Sequence, residues 1–235
     1  RQGLPKGAPL RVKPVLVWSL AQRREFTSWR PYGGLTTRQD VDAEMGRIAG
    51  EMKALAAKAE FPLEPLPVGS VSSAEEAAGA AREAGCDAFL LYAAAGQVPW
   101  YETLTGAGKP AVMFLRQRSG PFYLYYEIAH FRFLRKSLDN QAQPHMDHDD
   151  IVVDDYDDVL WRLRALYGLK NARGTKSLAL GGLRSYSAPG QKLGPTHVQE
   201  VWGYELIPYP DADLEKLLAE ARADSARMRK IEQQA

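Results

Sequence analysis

Short apolar runs alternate with amphipathic stretches along most of the chain. Val15-Leu-Val-Trp-Ser-Leu20, Ala88-Phe-Leu-Leu-Tyr92 and Ala111-Val-Met-Phe-Leu115 have the length and composition of strands buried on both faces. After the first of them, Val41, Met45, Ile48, Met52 and Leu55 recur at spacings of four, three, four and three, which predicts a helix with one core-facing stripe. Thr37, with Asp40 three residues later, is its expected cap. Leu63-Glu-Pro-Leu-Pro-Val68 is strand-like, but Pro65 and Pro67 cannot donate to a ladder and place it near a sheet edge. Ser73-Ala-Glu-Glu76 reads as a capping box that opens an alanine-rich helix ending at Gly85.

The alternation continues with a short helical segment around Trp100 to Leu104 and an aromatic-rich helix from about Pro121 to Leu138. A short strand at Ile151-Val-Val153 precedes a helix that carries Leu160, Leu163 and Leu166, ends at Gly168, and takes Asp154 or Asp155 as its cap. The polar stretch Lys170 to Thr175 reads as a domain boundary. Beyond it come a strand at Ser177 to Leu180, Gly181-Gly182, a helix over roughly Leu193 to Trp202, a strand at Glu205-Leu-Ile207 and a final helix from Asp211. Strictly alternating strands and helices cannot close as tight hairpins, so the crossovers return in one direction and build a parallel sheet. The expected fold is α/β. A leader covers residues 1–12, a flavodoxin-like (Rossmann-like) three-layer domain covers 13–172, and the start of a second α/β domain covers 173–235.

Composition narrows the function classes. Of 235 residues, 45% are hydrophobic and 25% charged, the balance of a globular chain with a substantial core. Thirty Lys and Arg against 29 Asp and Glu give a net charge of +1, which offers no field for nucleic acid or an anionic membrane, and neither is an expected partner. No apolar stretch reaches the roughly 20 residues that span a bilayer, so a soluble chain is expected. The single cysteine, Cys86, stands before an apolar run and reads as a buried structural thiol. The Pro/Gly-rich start at Arg1 and a last helix without a terminating Gly or Pro read as ends cut from something longer. A cytoplasmic location is favoured, with export after loss of an upstream targeting segment as the alternative.

The expected strand ends supply Ser19 to Arg24, Gly69-Ser70, Ala93 to Gln97 and Arg116 to Arg118, where ligands of open parallel sheets gather. None is followed by a dinucleotide or P-loop glycine motif, and no G-x-S-x-G elbow occurs. Gly181-Gly182 reads as a tight turn, with phosphate binding as the rival. His145-Met-Asp-His-Asp-Asp150, with Asp154, Asp155, Asp157 and Asp158 behind it, reads as a solvated acidic loop whose later aspartates favour a helix N-terminus. A divalent site for a metal-assisted hydrolase, using Asp147 and His148, is the rival. Phe122 to Phe133 interleaves aromatics with Glu127, His130 and Arg132, a pattern for core or subunit contact. Glu127 and His130 lie three apart on one helix face and suit sugar hydroxyls or an interface ion pair. His197 reads as a surface or packing residue.

Glu127-Ile-Ala-His130 resembles a Gln-x-Ala-His segment of arabinose isomerases, and Val201-Trp-Gly-Tyr-Glu-Leu206 resembles the G-Y-E-V segment of the same proteins. With the opening strand running into a loop at Gln22, and Leu66-Pro-Val-Gly-Ser70 before a capped helix, the order from Lys13 to Glu220 resembles the amino-terminal and middle parts of the L-arabinose/L-fucose isomerase superfamily. The resemblance implies a parent enzyme that converts an aldose to a ketose with manganese or another divalent cation. Its metal ligands lie beyond anything matched here, so no metal ligand is assigned to this chain and its catalytic residues stay unassigned. The resemblance also implies a homo-oligomer, trimer or hexamer, in which this part covers a neighbour's sugar. Gln22, Glu127 and His130 are the implied sugar contacts. Trp29 and Trp100 are candidate platforms for the sugar's apolar face, with packing as the rival role of each. A non-enzymatic two-lobed sugar-binding receptor is the alternative function.

Overall fold

The computed structural model describes residues 7–20, 25, 34–83, 85–138, 143–180, 183 and 188–233. The chain divides into two compact units, residues 1–167 and 168–235. In the first, strands β1 (Leu10–Val17), β2 (Leu63–Pro65), β3 (Gly69–Val71), β4 (Ala88–Ala93), β5 (Ala111–Leu115) and β6 (Ile151–Val153) form one parallel sheet. β2 and β3 both pair with one side of β1, and β4, β5 and β6 follow on the other. With β2 and β3 counted as one interrupted strand, the order is 2-1-3-4-5, the flavodoxin-like arrangement.

Proline sets that interruption. Backbone groups of even-numbered residues in β1 face the β2–β3 side: Leu10 donates to Pro62, Val12 accepts from Leu66 and Trp18 donates to Val71. Pro14 is the next even residue after Val12, and it has no N–H to offer. The ladder therefore holds at Leu10 to Val12 against β2 and resumes at Val15 to Val17 against β3. The strand expected over Leu63 to Val68 is thus cut to Leu63–Pro65, and a second short strand follows it at Gly69–Val71, at the edge that Pro65 and Pro67 indicated. β1 itself starts at Leu10, inside the stretch expected to be leader, because Arg11 and Lys13 carry their charges to Glu64 and Glu83 and leave the strand pattern intact.

Period-2 alternation splits the core into two layers. Leu90 and Tyr92 of β4 and Val112 and Phe114 of β5 face α1 (Arg38–Lys58) and α5 (Tyr156–Ala172). Phe89, Leu91, Met113 and Leu115 face α2 (Ala74–Ala81), α3 (Val98–Thr105) and the segment after β5. Thr37 caps α1, its hydroxyl accepting from the Asp40 amide while the Asp40 carboxylate accepts from the Thr37 amide. The Ser73 hydroxyl accepts from the Glu76 amide, but Glu76 reaches back to Ser72. The aromatic helix expected from Pro121 is shorter: α4 (Tyr125–Ile128) widens into a π turn over Ala129–Leu134 and stops where Lys136 and Ser137 take positive φ. Asp155 caps α5, its carboxylate accepting from the amides of Asp157 and Asp158. α5 runs on past Gly168 to Ala172.

In the second unit, β7 (Lys176–Leu180) and β8 (Glu205–Tyr209) form a two-stranded parallel sheet, joined through α6 (Ala188–His197) and a π turn over Val198–Trp202. α7 (Asp211–Ala223) and α8 (Ser225–Glu232) follow. Gly203, at φ 72°, ends the π turn, and a Cβ there would meet the Arg173 side chain at 3.0 Å. Leu178 and Leu180 are 56% and 59% exposed. Among the described residues no helix is long and apolar enough to cross a membrane.

Leu91 is fully buried in the central strand and Leu178 is not. In urea denaturation Leu91→Ala is expected to cost about 3 kcal/mol, and Leu178→Ala less than about 0.5 kcal/mol. Equal losses would contradict this division of the core.

Candidate functional site

A guanidinium stands where β5 ends. Arg116 is fully buried, with its Nε donating to Glu44 Oε1 at 2.6 Å and its terminal nitrogens to the Glu51 carboxylate. Glu44 and Glu51 lie seven residues, about two turns, apart on α1. They therefore share the face of Val41, Ile48 and Met52 and are carried toward the sheet with the apolar stripe. The rings of Phe114, Tyr92 and Tyr123 surround the guanidinium at 5.3 to 5.8 Å.

Tyrosine hydroxyls complete the cluster. Tyr123 donates to Glu44 Oε1 and Tyr156 to Glu51 Oε2, each at 2.5 Å. The Tyr156 oxygen lies 3.1 Å from that of Tyr92. Since Tyr156 gives its proton to Glu51, Tyr92 is the donor in that contact. Burial opposes ionisation of Glu51, but hydrogen bonds from Arg116 and Tyr156 and the nearby guanidinium charges outweigh it and lower its pKa. Burial likewise opposes the charge on Arg116, yet the bonds to Glu51 and the surrounding acidic groups hold its pKa above the ordinary value. Burial raises the pKa of Tyr92, Tyr123 and Tyr156, which keeps their protons in place as donors.

The loop after Arg116 is held from two sides. Asp154, at the end of β6 with φ 54°, accepts from the amides of Gln117, Arg118 and Ser119 at 2.7 to 3.2 Å and from the Ser119 hydroxyl. This bonding accounts for the left-handed conformation, which Asp tolerates better than most residues. Burial of Asp154 is outweighed by these donors, and its pKa is lowered. From α1, Arg47 donates to the carbonyls of Ser119 and Gly120 and to Glu51 at 2.9 Å.

Between this loop and the start of α1 opens a pocket of about 470 Å³. Leu35 and Pro121 give it apolar surface, and Thr36, Asp40, Glu44 and Arg47 give it polar groups. α1 follows β1 and Pro121 follows β5, so the pocket lies at the carboxyl edge of the sheet, where such folds collect ligands. The two walls come close: a Cβ on Gly34 would stand 3.0 Å from the Phe122 carbonyl oxygen, so the position suits glycine. Asp40 is held ionised, its pKa lowered to about 2 by the amide and hydroxyl of Thr36 and those of Thr37.

The residues expected to meet sugar do not converge on this pocket. Gln22 and Trp29 lie outside the described residues, as does Gly181-Gly182. Trp100 is on the same edge, but only 8% exposed, with its ring packed into the core so closely that a Cβ on Gly96 would approach it to 2.9 Å. Glu127 and His130 are both exposed. His130 lines a separate pocket of about 190 Å³ with Arg135, Asp147 and His148 over Leu134 and Met146, beside the beginning of β6.

There Asp147 serves a turn: its carboxylate accepts from the Asp149 amide at 2.8 Å, and its own amide donates to Asp150 at 3.0 Å. His148 is exposed beside Asp149. Among the described residues no three His, Cys, Asp or Glu side chains form a group able to hold a metal ion. Cys86 is buried, its thiol 3.6 Å from the Glu83 carbonyl oxygen, and His197 is exposed.

Sequence patterning placed Arg116 at a strand end but missed its partners. The available signal was the pair Glu44 and Glu51 inside an otherwise apolar heptad stripe. The chain matches no protein-family model, and no curated protein matches it either.

Glu44→Ala leaves part of the Arg116 charge unanswered in the interior and is expected to lower stability by about 3–5 kcal/mol in urea. Asp42→Ala, which removes the exposed pair with Arg38, is expected to cost less than about 1 kcal/mol. Similar values for the two would contradict the cluster. Asp40 gives a pH signature. An unfolded chain takes up this proton near 3.8 and the folded chain near 2, so the stabilisation is complete above the first value and is lost as pH falls toward the second. Carboxyl NMR titration of Asp40 is expected to show a midpoint near 2 that rises in Thr36→Ala; an ordinary midpoint in the native chain would refute the capping geometry.

Proposed function

We propose that residues 1–167 bind and cover a sugar as part of an aldose–ketose isomerase-like protein. The observation that carries this reading is the carboxyl-edge pocket, which sets the Asp40 carboxylate and the Arg47 guanidinium beside apolar surface. Sugar hydroxyls donate to Asp40 and accept from Arg47, while Leu35 and Pro121 meet the C–H face. The Glu-Ile-Ala-His and Gly-Tyr-Glu-Leu segments support the same class. Exposed Glu127 and His130 are placed to meet a neighbouring subunit of a trimer or hexamer, where their implied sugar contact would be made.

Isomerases of this class use manganese or another divalent cation. The described residues offer no donor set that fits one, and the part proposed for this chain is binding, orientation and exclusion of water.

Titration with L-arabinose and L-fucose, followed by amide NMR shifts, tests the proposal. Binding in the millimolar range is expected without manganese, with shifts confined to residues 34–47 and 119–123. Arg47→Ala is expected to weaken it about tenfold, the loss of one hydrogen bond to a charged group. The chain alone is expected to form no ketose when manganese is added. Absence of shifts in those segments at saturating sugar, or manganese-dependent turnover by this chain, would overturn the reading. Submicromolar binding without metal would favour the non-enzymatic receptor instead.

A further inference from the structure

The segment after β5 has an outer face that the sheet does not use. Tyr125, Ala129, Phe133 and Leu134 turn inward and are buried. Opposite them, Tyr126 and Phe131 are 42% and 53% exposed, and Glu127, His130, Arg132 and Arg135 stand in solvent around them. Two exposed aromatics and arginines on one short helical face have the composition of a subunit contact rather than of ordinary surface.

The charges on this face run in order. Glu127 lies at its amino end, and Arg132 and Arg135 lie at its carboxyl end. Reversed, the face is complementary to itself. Two copies crossing antiparallel about a two-fold axis set Glu127 of each against Arg132 and Arg135 of the other, with Tyr126 and Phe131 packed between them. A parallel crossing would set like charge against like. An isologous contact of this kind needs one surface only, and it repeats every favourable pair twice.

We infer that this face is the contact with a second copy of the chain, related by a two-fold axis. The contact rests on the reading above that the chain forms a homo-oligomer, supplies a two-fold pairing that a hexamer contains and a trimer lacks, and does not depend on sugar. Tyr126 and Phe131 provide its apolar centre, and the Glu127 to Arg132/Arg135 pairs fix its direction. His130, on the same face, is then carried to the neighbouring copy.

Sedimentation velocity on the full chain tests the contact. The native chain is expected to show a concentration-dependent monomer–dimer equilibrium. Phe131→Glu is expected to raise its dissociation constant about tenfold or more, as removal of a central aromatic anchor does. Glu127→Arg and the double variant Arg132→Glu/Arg135→Glu are each expected to stay monomeric alone and to pair when mixed. All these side chains are exposed in the single chain, so circular dichroism is expected to stay unchanged, as is the urea midpoint at concentrations where the native chain is monomeric. A native chain that remains monomeric at every concentration, a dimer indifferent to Phe131→Glu, or charge variants that fail to pair on mixing would each overturn the inference. Sugar shifts at residues 34–47 measured on Phe131→Glu report separately on the carboxyl-edge pocket.

Discussion

Burying a guanidinium at the end of a sheet strand is costly unless every donor finds an acceptor and the charge is answered. Arg116 has its charge answered and an acceptor for each of its three nitrogens through two carboxylates of one helix, Glu44 and Glu51, and a ring of tyrosines holds those carboxylates in turn. Such a cluster contributes little net stability against a well-packed apolar alternative. It specifies geometry. Glu51 and Tyr156 tie α1 to α5, Glu44 and Tyr123 tie α1 to the loop after β5, and one arginine tolerates no sliding among them.

The carboxyl edge takes its shape from that constraint. With α1 fixed by Arg116, Arg47 reaches the carbonyls of Ser119 and Gly120, while Asp154 gathers the amides of Gln117 to Ser119 from the other side. The loop is thereby held open opposite Gly34 and Thr36, and the pocket between them retains charged groups beside apolar surface. The same chain segment, a few residues on, turns its inner aromatics into the core and leaves Tyr126 and Phe131 outside. One stretch thus supplies a wall to the pocket and an exposed aromatic face.

Local chemistry in the sequence was sufficient where a structure is decided locally. Thr37 with Asp40 is a cap whatever surrounds it, and Ala111 to Leu115 is a strand buried on both faces in pattern and in fact. Where a distant residue decides, the pattern falls short. The split of the edge strand depends on Pro14 of a neighbouring strand as well as on Pro65 and Pro67. The start of β1 was hidden by Arg11 and Lys13, whose charges leave for Glu64 and Glu83. The choice of Asp155 over Asp154 as the α5 cap depends on the 117–119 loop, which takes the Asp154 carboxylate. Glu44 and Glu51 find their partner only in Arg116, which lies 65 or more residues away in the sequence. Of the residues put forward for sugar, Glu127 and His130 are both exposed, and Trp100 is occupied by packing against Gly96.

Amide hydrogen exchange on Arg116→Lys tests the central constraint most directly, because lysine keeps the charge but cannot bridge two carboxylates with a planar fork. Protection is expected to fall together in α1 around Glu44 to Glu51 and at Gln117 to Ser119, with β4 unchanged. Native protection at Gln117 to Ser119 in that variant would show that the loop is held without Arg116.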